Sequence, residues 1–382
     1  MDFGHTAEDE EFRTEARAWL AAYAAPSAPR RTWERTLGRA GWIGLGWPEP
    51  GYGNRTATLT QQVAWAEEYA RSPAPPRSGH IGENLLAPTL LAHGSEDQKK
   101  RFLPPIAAGE ELWCQGYSEP GAGSDLAGVR TTAVRHGAHY RITGQKIWTS
   151  LAHEADWCFV LARTDPASRR HHGLSFLLVP MDQPGRIEVR PIRQMTGTSD
   201  FNEVFLDGAR ARVEHVVGGE GQGWRVAMSL LGFERGVSTL AQQIGFVEEL
   251  GRVVGTAVRA GAVTDPVVRE RLVRQWAELR TMRWHALRTL GGSGDPGAPS
   301  VAKLLWAGWH QRLGELAVRV RGGEGGVGPV DWSPGAPYEL DADQHLFLFS
   351  RADTIYGGSD QVQRTIIAER VLGLPREPKG AV

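Results

Sequence analysis

The 382-residue sequence is 41% hydrophobic and sets 43 lysines and arginines against 44 aspartates and glutamates, so it has the apolar content for a large core and no net field to attract nucleic acid or an anionic membrane. Its two cysteines, Cys114 and Cys158, are too few for a disulfide framework and fit a reducing compartment. No basic stretch with an apolar run opens the chain, and no segment reaches the roughly eighteen apolar residues of a membrane span, so the expected location is cytoplasmic, with no metal.

Three modules follow in order. In residues 1–112, Phe12, Ala16, Trp19, Leu20 and Tyr23 recur at helical spacing behind an N-cap candidate, Thr6, and an acidic first turn from Glu8 to Glu11. Pro26 to Pro29 end that helix and the turn Pro48–Gly53 ends the next. Ser95-Glu96-Asp97-Gln98 has the form of a capping box ahead of Phe102 and Leu103. In residues 113–217 the period shortens to two. Val129–Val134, His139–Thr143, Trp157–Ala162, Leu174–Val179, Ile187–Pro191 and Val204–Leu206 predict short strands of an antiparallel module, separated by turn signals such as His136-Gly137 and Pro184-Gly185. The basic run Arg169-Arg170-His171-His172 between two of them is either a solvated turn or a contact for ligand phosphate. In residues 218–382 helical spacing returns over Trp224–Leu250, Pro266–Leu290, Val301–Val320 and Leu340–Tyr356, with loops at Gly291–Pro299 and Gly322–Pro337. Helices, strands, then helices predict an α+β arrangement of segregated modules.

The segment Trp113–Asp125 sets an apolar, strand-like entry against a turn holding Pro120, Gly121 and Gly123, then offers Ser118, Ser124 and Asp125. It reads either as an ordinary hairpin loop or as a ligand cradle whose glycines adopt positive φ and aim N–H groups at a phosphate or an electron-rich ring edge.

Glu234 is the most informative acid. Its helical neighbours on one face are Leu230, Leu231, Val237 and Ser238, none of them basic. It is therefore either a base whose pKa desolvation raises, as removal of a weakly acidic carbon-bound proton needs, or an acid paired with a distant arginine.

Ser118-Glu119-Pro120-Gly121-Ala122-Gly123-Ser124-Asp125, followed by Gly144-Gln145-Lys146-Ile147-Trp148-Thr149-Ser150 and later by Gln363-Arg364-Thr365-Ile366-Ile367, closely resembles the acyl-CoA dehydrogenase family of flavoproteins, over nearly the whole chain. The resemblance implies an α-helical N-terminal domain, a middle antiparallel β domain and a C-terminal four-helix bundle, usually assembled as a tetramer around shared FAD sites. It implies that a glutamate removes the α-proton of an acyl thioester while the β-hydrogen leaves as hydride to flavin N5, giving a trans-2-enoyl product. The commoner location of that glutamate precedes the last helix, where this chain reads Tyr356-Gly357-Gly358-Ser359. The less common one, found in isovaleryl- and long-chain-type members, is a Glu-Arg pair on the first long helix after the β module, and here the chain reads Phe233-Glu234-Arg235-Gly236. The base has moved rather than vanished.

The resemblance also distributes the other roles. Arg235 supports Glu234, and the backbone N–H of Gly357, with Gly358 beside it, polarises the thioester carbonyl. Tyr117 and Ser118 lie against the flavin ring, in the turn that holds Gly123, and Ser124 near the pyrophosphate or the substrate arm. Trp148 and Ser150 match residues that pack and bond near N5, with Thr149 the alternative register; core packing is the other reading of these strand residues. Gly322 and Gly323 match a loop that takes the adenosine half of a neighbouring subunit's FAD, and Ser359 and Gln361 open a helix suited to phosphate. The expected partners are an acyl-CoA or acyl-carrier-protein thioester and an electron-transfer flavoprotein, in a homotetramer or homodimer. Two other readings keep the fold: an oxygen-activating flavin monooxygenase or oxidase, and a structural subunit of a mixed dehydrogenase complex.

Overall fold

Thr6 accepts from the Asp9 backbone N–H while Asp9 answers the Thr6 N–H, and this reciprocal cap starts α1 (Ala7–Tyr23), whose Phe12, Ala16 and Leu20 face the core while Tyr23 is exposed. The computed structural model describes residues 6–233, 238–290, 295–328 and 340–376, with the side chains of 238–241 outside that set. Next come α2 (Arg30–Arg39), α3 (Leu59–Arg71), α4 (Ala87–His93) and α5 (Glu96–Ala107). The expected capping box at Ser95 and Gln98 starts α5, and Phe102 and Leu103 are fully buried.

The strands are β1 (Trp113–Gly116), β2 (Thr132–His136), β3 (His139–Ser150), β4 (Trp157–Arg163), β5 (Leu174–Pro180), β6 (Ile187–Ile192), β7 (Phe201–Arg212) and β8 (Val216–Val217). They form one sheet in the order β6-β7-β3-β2-β4-β5-β8, with β1 paired to β4. The sheet departs from a purely antiparallel one in two places: β1 runs parallel to β4, and β2 meets β4 in parallel at Thr132 and Arg163. Helices cover one face and bring in the parallel strand from outside the hairpins.

Alternation along β4 and β5 sorts their side chains to two cores. Phe159, Leu161, Leu174, Phe176 and Leu178 join Leu86, Phe102 and Leu103 of the N-terminal helices and Val226 and Leu230 of α6 (Gly223–Phe233). Cys158, Val160, Ala162, Leu177 and Val179 join Tyr140, Ile142 and Val204 on the opposite face. Both strands are thus buried on both sides, which is why they read as apolar runs. Cys114 and Cys158 are register partners on β1 and β4; both are free and buried, and burial pushes the Cys114 thiol well up. The outer strand β6 ends at the sheet edge with Pro191 and an exposed Glu188–Arg190 pair, and β8 at the other edge is two residues long.

Contacts divide the chain into two compact units, His5–Arg193 with Ser199–Ser238, and Thr239–Val382 with Gln194–Thr198. In the second, α7 (Ser238–Arg259), α8 (Pro266–Leu290), α9 (Ala298–Val320) and α10 (Ala342–Phe349) enclose a core of Phe246, Val253, Leu272, Met282, Trp309, Leu313 and Leu346. A short α11 (Asp360–Ile366) follows. No helix among the described residues is long and apolar enough to cross a membrane.

Candidate functional site

The first unit brings together the two motifs that the sequence singles out. Glu119 and Ala122 exchange backbone hydrogen bonds of 3.0 Å in both directions, closing a tight turn over Pro120 and Gly121, and the Ile147 N–H donates to Ser118 O at 3.0 Å. Neither Gly121 nor Gly123 adopts the left-handed φ expected of them. A proline-led reversal of this kind closes with αR-like central residues, and the two glycines instead leave open space, since a Cβ on either would meet nothing within 4 Å among the described residues.

The left-handed residue is Trp148. Between the register pairs Lys146–Val204 and Thr149–Asn202, two β3 residues oppose one on β7, and this bulge puts Trp148 at φ 59. Its indole is 55% exposed, edge-on to Phe201 at 6.2 Å. The neighbouring Thr149 is fully buried, its carbonyl held by Asn202 Nδ2 at 3.0 Å, but its hydroxyl has no partner among the described residues. Ser150 is half-buried and pairs with Phe201. Tyr117 is a core side chain, packed against Phe159 and Phe176. Ser118 is half-buried and Ser124 exposed, beside Asp125, which pairs with Arg170 of the basic run at 2.9 Å.

A buried ion pair fixes this turn to this bulge. Lys146 Nζ, fully buried, donates to Glu119 Oε1 at 2.8 Å and to the carbonyls of Leu161 and Tyr117 at 2.8 and 3.1 Å. Glu119 also accepts from the N–H groups of Arg130 and Thr131 at 2.6 and 2.9 Å. Burial would raise the Glu119 carboxyl, but the Lys146 charge and these bonds hold it below its ordinary value.

In the second unit, Gly357 and Gly358 stand at φ 63 and 83, immediately before Ser359, which caps α11 by accepting from the Val362 N–H at 3.4 Å; Gln361 is exposed on its first turn. Among the described residues, a Cβ on Gly357 would meet only Lys303 Cε, at 3.9 Å. Gly322 and Gly323 are not brought to this turn. They follow the C-terminal end of α9 while Lys303 lies near its start, so the two places stand roughly 29 Å apart along the helix. Glu234 and Arg235 lie outside the described residues.

Beside the glycine turn is a buried polar cluster that the sequence reading missed. His310 Nδ1 faces Asp353 Oδ2 at 2.5 Å and its Nε2 faces Glu249 Oε2 at 2.9 Å, so both ring nitrogens carry protons. Tyr356 OH donates to Asp353 Oδ1 at 2.7 Å, and Lys303 Nζ donates to the Asp353 carbonyl. The signal was present: Lys303 and His310 interrupt the buried stripe Ser300, Ala307, Gly314, Ala317 of α9. Burial alone would push His310 down, but its bonds to Asp353 and Glu249 and their charges outweigh it and raise it to about 9. A histidine whose folded value exceeds the unfolded value of about 6.5 stabilises fully below pH 6.5 and loses that contribution as pH rises through about 9. The expected result is a stability loss on the order of 3 kcal/mol between pH 7 and 10, checked by calorimetric melting across that range. His310→Gln should flatten the profile.

Family models cover this geometry end to end. They match the acyl-CoA dehydrogenase N-terminal domain over residues 6–110, the middle domain over 114–209 and the C-terminal domain over 221–372. The chain belongs to the acyl-CoA dehydrogenase family. It is thus an oxidoreductase of the helical, β and helical three-domain fold. It is similar to acyl-CoA dehydrogenase IpdE1 of Mycobacterium tuberculosis, with 54% identity over 97% of this chain and 99% of that one. Among solved structures, this acyl-CoA dehydrogenase is similar to the Tcur3481-Tcur3483 steroid ACAD, at 30% identity and a TM-score of 0.83 over 99% of this chain and 100% of that one. It is also similar to a chain of the ChsE4-ChsE5 complex from Mycobacterium tuberculosis, at 31% identity and a TM-score of 0.81, covering 99% of this chain and 100% of that one.

Proposed function

We propose that this family member is an FAD-dependent dehydrogenase that desaturates an acyl thioester between its α and β carbons, with Glu234 as the base and Arg235 supporting it. The observation that carries the reading is the glycine turn. Family members bearing the acid before the last helix place a side chain where Gly357 has none, while the Gly357 N–H remains available to the carbonyl. The space left around that position among the described residues favours a bulky acyl group. A neighbour described as a steroid ACAD supports a ring-bearing one.

The residues present fit the flavin cofactor. An exposed indole set on a left-handed bulge, an unpartnered buried hydroxyl at Thr149 and two open glycine positions suit a flat group with polar edges. Ser118, Gly123, Ser124, Trp148, Thr149 and Ser150 would hold its ring and middle, with the Tyr117 side chain packed in the core behind them and not against the ring, and Gly322, Gly323, Ser359 and Gln361 its adenosine and phosphate part. FAD, when bound, supplies the acceptor for the β-hydride. Gly357 donates its N–H to the thioester carbonyl and so acidifies the α-carbon, Gly358 gives the turn its shape, and the Glu234 carboxylate takes the α-proton. The distance between Gly322 and the glycine turn supports a cofactor shared with a neighbouring subunit. That neighbour is a second copy, in a homotetramer or homodimer, or a different chain, as the ChsE4-ChsE5 title suggests for its own protein. With both the flavin turn and Glu234 in its sequence, this chain acts as the active subunit, in the cytoplasm, passing electrons to an electron-transfer flavoprotein.

The test is the visible spectrum of the purified protein under anaerobic conditions, titrated with butyryl-, isovaleryl-, octanoyl-, cyclohexane-1-carbonyl- and a steroid-ring acyl-CoA. Bleaching of the flavin band is expected, most strongly with the ring-bearing thioester. A flavin band that none of them bleaches overturns the thioester reading in favour of a carrier-bound substrate or oxygen chemistry, and a protein without flavin overturns it in favour of the structural subunit.

A further inference from the structure

We propose that His310, clamped between Glu249 and Asp353, is a positioning residue that sets the Tyr356–Gly358 turn and thereby aims the Gly357 N–H at the acyl carbonyl. The proposal rests on the role given to Gly357 above.

Two adjacent glycines at positive φ have little conformational preference of their own, so the turn must be held from outside. On its downstream side the Asp360 N–H closes the loop onto the Thr354 carbonyl at 3.0 Å, while the glycines themselves are touched only by long bonds from Gln363 Nε2 to the Gly357 and Gly358 carbonyls, at 3.4 and 3.3 Å, among the described residues. On its upstream side a continuous chain of groups leads from α7 through α9 to the residue before Gly357. Glu249 bonds His310, His310 bonds one oxygen of Asp353, and the other oxygen of Asp353 accepts from Tyr356 OH. Asp353 itself is fully buried, its carbonyl taken by Lys303 and its N–H bonded to Ser350 O at 3.2 Å.

Among the described residues, the charged and titratable groups around His310 are Glu249 from α7, Lys303 on its own helix, and Asp353 and Tyr356 from the segment after α10. Phe246 and Trp309 supply ring contacts, with Phe246 at 4.6 Å. Lys303 Nζ also lies 4.9 Å from the centre of the Tyr356 ring, so a cation steadies the same tyrosine that Asp353 holds. The buried charge cluster ends on Tyr356, the residue directly before Gly357. Misplacing a group that positions a reacting carbonyl by about 1 Å costs on the order of a hundredfold in rate.

The test uses the intact flavin-loaded protein and whichever of the five acyl-CoAs bleaches it fastest, in anaerobic stopped flow. His310→Gln and Tyr356→Phe should retain flavin yet lower the limiting bleaching rate by roughly ten- to a hundredfold, with the half-saturating thioester concentration changed less than about threefold. The wild-type limiting rate should fall as pH rises through about 9, and the His310→Gln rate should not. A folded His310→Gln protein with an unchanged limiting rate overturns the clamp alone. Should that variant fail to fold, a wild-type limiting rate that stays level from pH 8 to 10 overturns it. A wild-type flavin that no thioester bleaches overturns the function proposed above, and this proposal with it.

Discussion

Replacing Glu234 by glutamine is expected to give a folded, flavin-bearing protein whose flavin acyl thioesters no longer bleach at a measurable rate. General-base catalysis contributes on the order of 10²–10⁴-fold, and the upper end applies here because no second acid stands at the alternative position, where the chain has Gly357. The change is nearly isosteric, so folding should survive it. The preceding helical turn anchors independently, since Leu230 is fully buried in the core between α6 and the sheet. Stopped-flow bleaching of the two proteins with the same thioester decides the matter, and equal rates would remove Glu234 from the mechanism. The proposed base is also expected to confer pH dependence, because only the carboxylate form takes the proton.

The second large effect lies in the Lys146–Glu119 pair. Lys146→Met leaves the Glu119 carboxylate buried with two backbone N–H bonds and no counter-charge, and breaking a buried pair by removing one partner costs about 3–5 kcal/mol. Melting should fall on the order of 5–10 °C. Because the same pair ties the Ser118–Asp125 turn to the Trp148 bulge, flavin content per chain should fall with it. Glu119→Gln in the Lys146→Met background should recover part of the loss, since a neutral amide there no longer lacks a cation. Additive losses in that double variant would show that the two side chains do not act as a pair.

The contrast between these two sites explains what the sequence made legible. Local chemistry could be read directly: the Thr6 and Ser95 caps are made by residues three apart, and both appear where their spacing puts them. The apolar runs of β4 and β5 announced strands, although their near-continuous apolarity reflects burial on both faces rather than alternation. By contrast, β3 and β7 are each twelve residues long, well beyond the His139–Thr143 and Val204–Leu206 that their patterns suggested. Nothing local to Lys146 shows its role, because its partner Glu119 lies 27 positions earlier. His310 poses the same difficulty, since Asp353 is 43 positions away and Glu249 is 61. Gly121 and Gly123 misled in another way. Glycine permits a left-handed backbone without requiring it, and here the strained position fell to Trp148, which a bulge rather than a turn had placed.

The edges of the sheet bear on how this chain survives its own synthesis. A proline, a charged pair and a two-residue strand leave the finished sheet little with which another molecule's strand can pair. The adhesive sequence, β4 and β5, is interior, and its cover includes α6, which is made only after both strands have left the ribosome. The interval in which the protein is prone to aggregate is therefore confined to the nascent chain, between emergence of Leu174–Pro180 and arrival of Gly223–Phe233.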